Sequence, residues 1–311
     1  MPWLGVKKLA LVPVFRPNAM PPDVIPDNWP NLILERMLFF LDKQTRQDVS
    51  LRAYIHTVSS GRADLDAVVQ PMQTIDQQDV PPAAFEASLG PSLRAQGFDC
   101  AALVMLGGLG AGTSAGFWVR FVMLEGTGVW AMEFMHSLTG FGDLYPFGGN
   151  MGGFDEMACS CATHPSAYTK RAIQWIDGST IAHHRGVVGT YDLYSIGRKQ
   201  PPPRGSVAAV QIGSNVPYVM VESRQKGADQ FDVKIPSEGV IVYVVQTRDP
   251  LGNPQNATAP AMLLTPTALK IGQRYASREP VFTVDVIGGS HNGFRVKITT
   301  PLNPFEEAQD A

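Results

Sequence analysis

The spacing of apolar residues changes along the chain, and the predicted secondary structure changes with it. In roughly the first half, apolar runs that suit buried strands alternate with segments whose apolar residues recur every three or four positions, as in amphipathic helices. The predicted strands are Leu9–Phe15, Leu65–Val69, 101–105 and 114–123. The predicted helices are 31–41, 50–57, which begins at a serine cap, and 83–95.

Beyond about residue 175 the pattern becomes short runs of Val, Ile and Tyr separated by Gly, Pro, Asn and Asp. Such runs are typical of an all-β region with long loops. We therefore predict an α+β protein with two domains. The first, at 1–178, mixes helices and strands, and the second, at 179–311, is β-rich and sandwich-like.

A further helix is predicted between Thr127, a candidate N-cap, and Gly140, where the helical pattern stops. Its bulky residues Trp130, Phe134 and Leu138 recur at helical spacing. Because apolar residues also occupy most of the positions between them, we expect this helix to be mostly buried.

This helix carries the pentapeptide Met132-Glu133-Phe134-Met135-His136, which differs at one position from the zinc-peptidase motif H-E-x-x-H. In the complete motif two imidazoles one helical turn apart bind the metal, and the glutamate activates the bound water. The first ligand position here is Met132, whose thioether is a soft and weak ligand for zinc. Glu133 and His136 are retained, and Asp143 follows the glycine turn as the first candidate for a third ligand.

An ordered series of further motifs follows the pentapeptide. In chain order they are Gly140-Phe141-Gly142-Asp143-Leu144-Tyr145, Phe154-Asp155-Glu156-Met157 and His164-Pro165-Ser166-Ala167-Tyr168-Thr169-Lys170. Together with the pentapeptide they resemble the immune-inhibitor-A type of zinc metallopeptidase, a branch of the zincins. The resemblance implies a zincin-like fold for the domain at 1–178, zinc bound by the motif helix, and Glu133 as the general base.

The residue at the first ligand position changes what this resemblance implies about activity. A catalytic zinc needs three protein ligands and an open position for water, so with Met132 we expect zinc to bind weakly or not at all. The turn between His136 and Asp143 is also one residue longer than the usual form. We expect a metallopeptidase-like protein that has lost proteolysis and binds a peptide or protein, with Glu133 as a vestigial base. For Asp155 we favour hydrogen bonds to backbone amides over a metal role.

Two alternatives stay open at this point. In the first, the protein is an active zinc endopeptidase in which Glu133 is the general base and a distant histidine completes the metal site; the candidates are His56, His164, His183, His184 and His291. In the second, the protein is not a peptidase and binds a metal ion through Cys159, Cys161 and His164, which lie close together along the chain.

Composition and charge argue against several other functions. The formal net charge of the 311 residues is -3, which provides no basic surface for nucleic acid. No apolar run is long enough to span a membrane, and the first residues do not read as a signal peptide, so we expect a cytoplasmic protein or a mature secreted form. The Gly-rich stretch 106–113 is followed by a predicted strand rather than the helix that a nucleotide-binding fingerprint requires, and we expect a loop there.

Overall fold

The computed structural model describes residues 2–18, 25–76, 79–107, 112–145, 151–198, 202–247 and 259–301. The chain forms two compact units. The first unit contains Met1–Phe141, Ser160–Ala162 and Ile173–Trp175, and the second contains Gly142–Cys159, Thr163–Ala172 and Ile176–Ala311. The chain thus passes between the units several times, and the single boundary at 178 stays a prediction. The predicted Gly-rich loop lies partly outside the described residues, at 108–111.

A six-stranded sheet forms the centre of the first unit. Its strands are β1 (Gly5–Phe15), β2 (Ala63–Val69), β3 (Gln73–Thr74), β4 (Cys100–Met105), β5 (Thr113–Ala115) and β6 (Trp118–Val122). Their order is β2-β1-β4-β6-β5, with β3 also paired to β1, and every pair is parallel except β5 with β6. The run 9–12 in β1 is fully buried, as expected for an inner parallel strand.

Proline is tolerated in β1 because of where the neighbouring strands end. β2 pairs with β1 only as far as Leu11, and β3 begins to pair at Val14. On that side of the strand Pro13 therefore has no ladder partner, so its missing N–H does not interrupt a ladder.

Four helices are found among the described residues of the first unit. They are α1 (Trp29–Leu38), α2 (Leu51–Val58), α3 (Glu86–Ala95) and α4 (Thr127–Thr139). The serine cap of α2 is confirmed, since Ser50 Oγ accepts a hydrogen bond from the Ala53 amide at 3.2 Å. The predicted end of α4 is also confirmed, because Gly140 adopts a left-handed φ of 78° that terminates the helix.

Two local predictions in this unit are wrong. Thr127 does not cap α4; Gly126 occupies the N-cap position, and Thr127 Oγ1 instead donates to the Val49 carbonyl at 2.8 Å. The single strand predicted at 114–123 is a hairpin, in which the chain turns at Gly116 with a φ of 57° between β5 and β6. Glycine allows this reversal because it adopts a positive φ without steric cost.

Aromatic side chains hold α4 against the sheet. The Trp130 ring stacks on Phe121 of β6 with centroids 4.6 Å apart, and Phe134 meets the same ring edge-on at 5.6 Å. These three rings are almost fully buried. The prediction that this helix is mostly buried is therefore confirmed.

The second unit is built mainly from strands, with the short helices α5 (Glu156–Cys159) and α6 (Ala167–Ala172). One sheet has the order β12-β11-β10-β9-β7 and the other β13-β14-β15-β8. The strands are β7 (Ile181–His184), β8 (Val188–Tyr194), β9 (Ala209–Ile212), β10 (Tyr218–Arg224), β11 (Gly239–Val245), β12 (Ala261–Leu263), β13 (Arg274–Arg278), β14 (Val281–Ser290) and β15 (Gly293–Thr299).

Both sheets of the second unit contribute to one apolar core. Val221 and Val242 from the first sheet share it with Phe282 and Val296 from the second. The architecture is mixed, with few helices and several sheets, and is compatible with the predicted α+β class. Among the described residues, none of the helices is both long and apolar enough to cross a membrane.

A buried arginine links distant segments of the second unit. Arg224, at the end of β10, is fully buried and lies 2.8 Å from Asp232 Oδ1 and 3.5 Å from Glu222 Oε1. Its guanidinium also donates to the carbonyl oxygens of Phe154 and, at 3.1 Å, His164. The two nearby carboxylates raise the pKa of Arg224 even though burial opposes this.

We predict that Arg224→Met lowers the free energy of unfolding by about 3–5 kcal/mol, because Glu222 and Asp232 would be left buried without a compensating charge. The measurement is urea denaturation followed by fluorescence. Arg278→Met on the exposed face of β13 is the matched control and should change stability by less than about 0.5 kcal/mol. Equal effects of the two substitutions would contradict the prediction.

Candidate functional site

The three predicted motif residues occupy neighbouring positions on α4. Met132 and His136 are four residues apart and Glu133 and His136 three apart, so their side chains project from adjacent parts of the helix surface. Met132 and Glu133 are buried, with 4% and 6% of their surface exposed. These residues are buried because α4 packs against β6 and β5. This packing fixes the rotation of the helix about its axis.

His136 is oriented by a backbone hydrogen bond. Its Nδ1 lies 2.6 Å from the carbonyl oxygen of Phe141, just past the glycine that ends the helix. A carbonyl oxygen only accepts, so Nδ1 carries the proton and the lone pair is on Nε2. Metal-binding histidines are usually held in this way, with one ring nitrogen donating to a carbonyl or carboxylate. This hydrogen bond therefore fixes the orientation of the His136 ring.

Met132 takes part in packing with a short segment at Ser160–Ala162. Ser160 Oγ lies 3.6 Å from the Met132 sulfur. One helical turn earlier, a Cβ added at Gly128 would lie 2.2 Å from the Ser160 carbonyl oxygen, so only glycine permits this close approach. Ser160 and Ala162 both have positive φ values, 49° and 59°, which non-glycine residues rarely adopt. The helix face that carries Met132 is thus covered by a strained segment.

Glu133 lies against the start of β5. A Cβ added at Gly112 would be 2.6 Å from Glu133 Oε1 and 2.5 Å from its Cγ. The backbone of Gly112 therefore passes directly over the Glu133 side chain, and the next residue, Thr113, begins β5. The carboxylate therefore lies beside the first residue of β5, the outermost strand of the sheet.

The donors at this site do not fit a catalytic zinc ion. Met132 presents a thioether that already contacts Ser160, which leaves one imidazole on the motif helix where the reaction needs two. Asp143 belongs to the second unit and is partly buried there. In the described part of the chain, no group of three or more His, Cys, Asp or Glu side chains could hold a metal ion.

Four other histidines lie away from α4. His56 is on α2, His183 and His184 are on β7, and His291 is in the turn between β14 and β15. Within the described ranges, none of these histidines belongs to a group of three or more side chains that could hold a metal ion. The distant histidine that an active endopeptidase would require thus stays a prediction.

The alternative site at Cys159, Cys161 and His164 is not assembled in this structure. Cys159 and Cys161 are disulfide-bonded, so their sulfurs are not thiolate ligands, and Cys100 is a free cysteine buried elsewhere in the chain. Both nitrogen atoms of His164 are also engaged by protein groups, at 2.6 Å from Asp229 Oδ2 and 2.8 Å from Lys170 Nζ. In this structure His164 belongs to a buried hydrogen-bond network, and metal binding by these three residues stays a prediction.

The network around His164 has a definite polarity. An ammonium group only donates, so Lys170 Nζ donates to Nδ1, and Nε2–H donates to the Asp229 carboxylate. Burial, together with the charge of Lys170, lowers the pKa of His164. Burial also lowers the pKa of Lys170 to about 8, and despite burial the pKa of Asp229 falls to about 2 through its contacts with His164 and two backbone amides.

Asp155 has the structural role that we expected. Its Oδ1 accepts a hydrogen bond from the Met157 amide at 2.9 Å, and its Oδ2 accepts from the Ser166 amide at 2.8 Å and from the Thr169 hydroxyl at 2.6 Å. This prediction is confirmed. Sequence reasoning missed Arg224, Lys170 and Asp229 as members of the network around His164.

Comparisons with known proteins add no family assignment. No protein-family model matches the sequence, and no curated protein sequence matches it either. The resemblance to immune-inhibitor-A peptidases therefore depends on the motifs themselves.

We predict that His164 makes the folded protein less stable as the pH falls below about 6.5. Its pKa is lower in the folded state, so the unfolded chain binds more protons in this range and is favoured. The measurement is the melting temperature from about pH 7.5 to 4.5. Relative to wild type, His164→Gln should show a shallower loss, whereas His291→Gln, in the exposed turn, should keep the wild-type slope. Parallel curves for wild type and His164→Gln would contradict the prediction.

Proposed function

We propose that the protein binds an extended peptide along the outer edge of β5, beside Glu133, and does not cleave it by a zinc-dependent reaction. The observation that carries the proposal is the position of β5. It is the last strand in the order β2-β1-β4-β6-β5, and no other described strand pairs with its outer edge. An open strand edge is a template for a further strand from another chain.

The hairpin geometry identifies which backbone groups would bind the peptide. Ala115 and Trp118 flank a two-residue loop and face each other across it. The residues that flank such a loop exchange hydrogen bonds, so at the adjacent position the N–H and C=O of Ser114 point away from β6. Ser114 is partly exposed. It therefore offers one donor and one acceptor to an incoming strand.

Glu133 would set the position of the peptide along this edge. Its carboxylate lies against Gly112, immediately before β5, so a strand that pairs with Ser114 passes close to it. A carboxylate accepts hydrogen bonds from peptide N–H groups, and such charge-assisted bonds are stronger than neutral ones. In this proposal Glu133 binds and no longer acts as a base.

Loss of cleavage follows from the chemistry of the ligand set. Water bound to a catalytic zinc has a pKa of about 7, against about 15.7 for bulk water. Without that ion Glu133 has no acidified water to deprotonate. The thioether of Met132 is the reason to expect weak zinc binding. The hydrogen bond that orients His136 is of the kind that metal-binding histidines make, and it supports descent from a metal site.

We predict that the purified protein retains less than about one tenth of an equivalent of zinc after dialysis against a mild chelator, because two protein ligands bind zinc much more weakly than three. Elemental analysis provides the measurement. Met132→His should increase the retained zinc by placing an imidazole one turn from His136, whereas Met135→His on the same helix should not. Close to one equivalent in the wild type, with casein cleavage abolished by Glu133→Gln, would instead establish an active endopeptidase.

We predict that Ser114→Pro weakens peptide binding about three- to tenfold, because proline removes the outward N–H and one backbone hydrogen bond is worth about 0.5–1.5 kcal/mol. The probe is the tightest-binding tryptic peptide of casein, labelled and followed by fluorescence anisotropy. Ser114→Ala keeps the backbone N–H and should bind like the wild type. If proline and alanine have the same effect, or if no casein peptide binds, β5 is not the binding edge.

A further inference from the structure

A cavity of about 450 Å³ lies within the second unit, at one end of the β12-β11-β10-β9-β7 sheet. It is bordered by α6, by the connection between β9 and β10, and by the residues that follow β11. Its polar lining residues include Arg171, Gln211, Ser214, Asn215, Tyr218 and Thr247. Its volume is within the range of about 300–1,000 Å³ that is usual for small-molecule sites.

The guanidinium of Arg171 is held at this cavity by a neutral partner. Arg171 Nη1 donates to Gln211 Oε1 at 3.0 Å, and Gln211 Nε2 in turn donates to the Gly213 carbonyl at 2.8 Å. Gln211 is buried, with 4% of its surface exposed, so its amide cannot easily turn away. This second bond fixes the orientation of the Gln211 amide, and the Gln211 oxygen orients the arginine.

The positive charge of Arg171 is not neutralised by this arrangement. Among the described residues the ion pairs do not include Arg171, and an amide oxygen carries no formal charge. The surrounding groups respond to this positive charge. His183 pairs with Gln211 across the sheet. Burial lowers the pKa of His183, and the charges of Arg171 and Arg185 lower it further. Burial raises the pKa of Tyr218, and Arg171 acts against that rise.

We propose that this cavity binds a small carboxylate that also carries several hydroxyl groups, such as a hexuronic acid. The planar guanidinium matches a carboxylate and can donate two parallel hydrogen bonds to it. Ser214, Asn215 and Tyr218, which line the cavity, supply hydroxyl and amide groups for the hydroxyls of the ligand. The inference depends on the second unit alone and is independent of the α4 site.

The test is isothermal titration of the full-length protein with D-glucuronate, D-glucose and acetate in low-salt buffer. D-glucuronate should bind saturably and at least about tenfold more tightly than D-glucose, which lacks the carboxylate but has the same ring. Arg171→Gln should weaken D-glucuronate binding about tenfold or more, and Arg171→Lys less, because lysine keeps the charge without the planar fork. Arg278→Gln, an exposed arginine on β13, should leave binding unchanged.

A separate variant tests the hydroxyl contacts. Asn215→Ala should weaken D-glucuronate binding and leave acetate binding unchanged, since it removes an amide and keeps the guanidinium. The proposal is overturned if D-glucuronate does not bind saturably, if D-glucose binds equally well, or if a correctly folded Arg171→Gln variant binds D-glucuronate like the wild type. Acetate binding as tightly as D-glucuronate would overturn recognition of the hydroxyls.

Discussion

The arrangement of the second unit depends on the way in which the buried charge of Arg224 is compensated. Two carboxylates, from Glu222 and Asp232, balance it, while the carbonyl oxygens of Phe154 and His164 accept further hydrogen bonds from its two terminal nitrogens. These partners lie up to 70 residues away along the chain. Buried ion pairs add little net stability compared with well-packed apolar residues, but breaking one is costly. The network therefore fixes which segments meet and contributes less to how tightly they hold.

The same network sets the position of α6 and, through it, the cavity. Lys170 is almost fully buried and donates to His164 and, at 3.2 Å, to the Ile196 carbonyl, so one side of this short helix is anchored inward. The next residue, Arg171, is rotated by about 100° around the helix axis and emerges at the surface beside Gln211. A buried lysine with a lowered pKa and an exposed arginine with no acidic partner among the described residues are thus two consequences of one helix orientation.

Features with a local cause could be predicted from the sequence, and features with a distant cause could not. The Ser50 cap and the end of α4 at Gly140 depend on a few neighbouring residues, and both are confirmed. The capping role of Thr127 is wrong because its hydroxyl is bonded to a carbonyl 78 residues away. Lys170 and Arg224 are buried, although lysine and arginine side chains usually face solvent. Sequence spacing does not reveal the partners that accompany their burial: Lys170 donates to His164 and to the Ile196 carbonyl, and Arg224 donates to carbonyl oxygens 60 and 70 residues away.

Protein groups surround the motif residues Met132, Glu133 and His136 on α4. His136 Nδ1 is hydrogen-bonded to the Phe141 carbonyl, and the backbone of Gly112 lies against the Glu133 side chain. Met132 packs against Ser160. The segment that contains Ser160 has positive φ values, which are unfavourable for its residues. A thioether with three rotatable bonds adapts to such an irregular gap better than a rigid imidazole. A methionine at position 132 therefore suits the packing at Ser160.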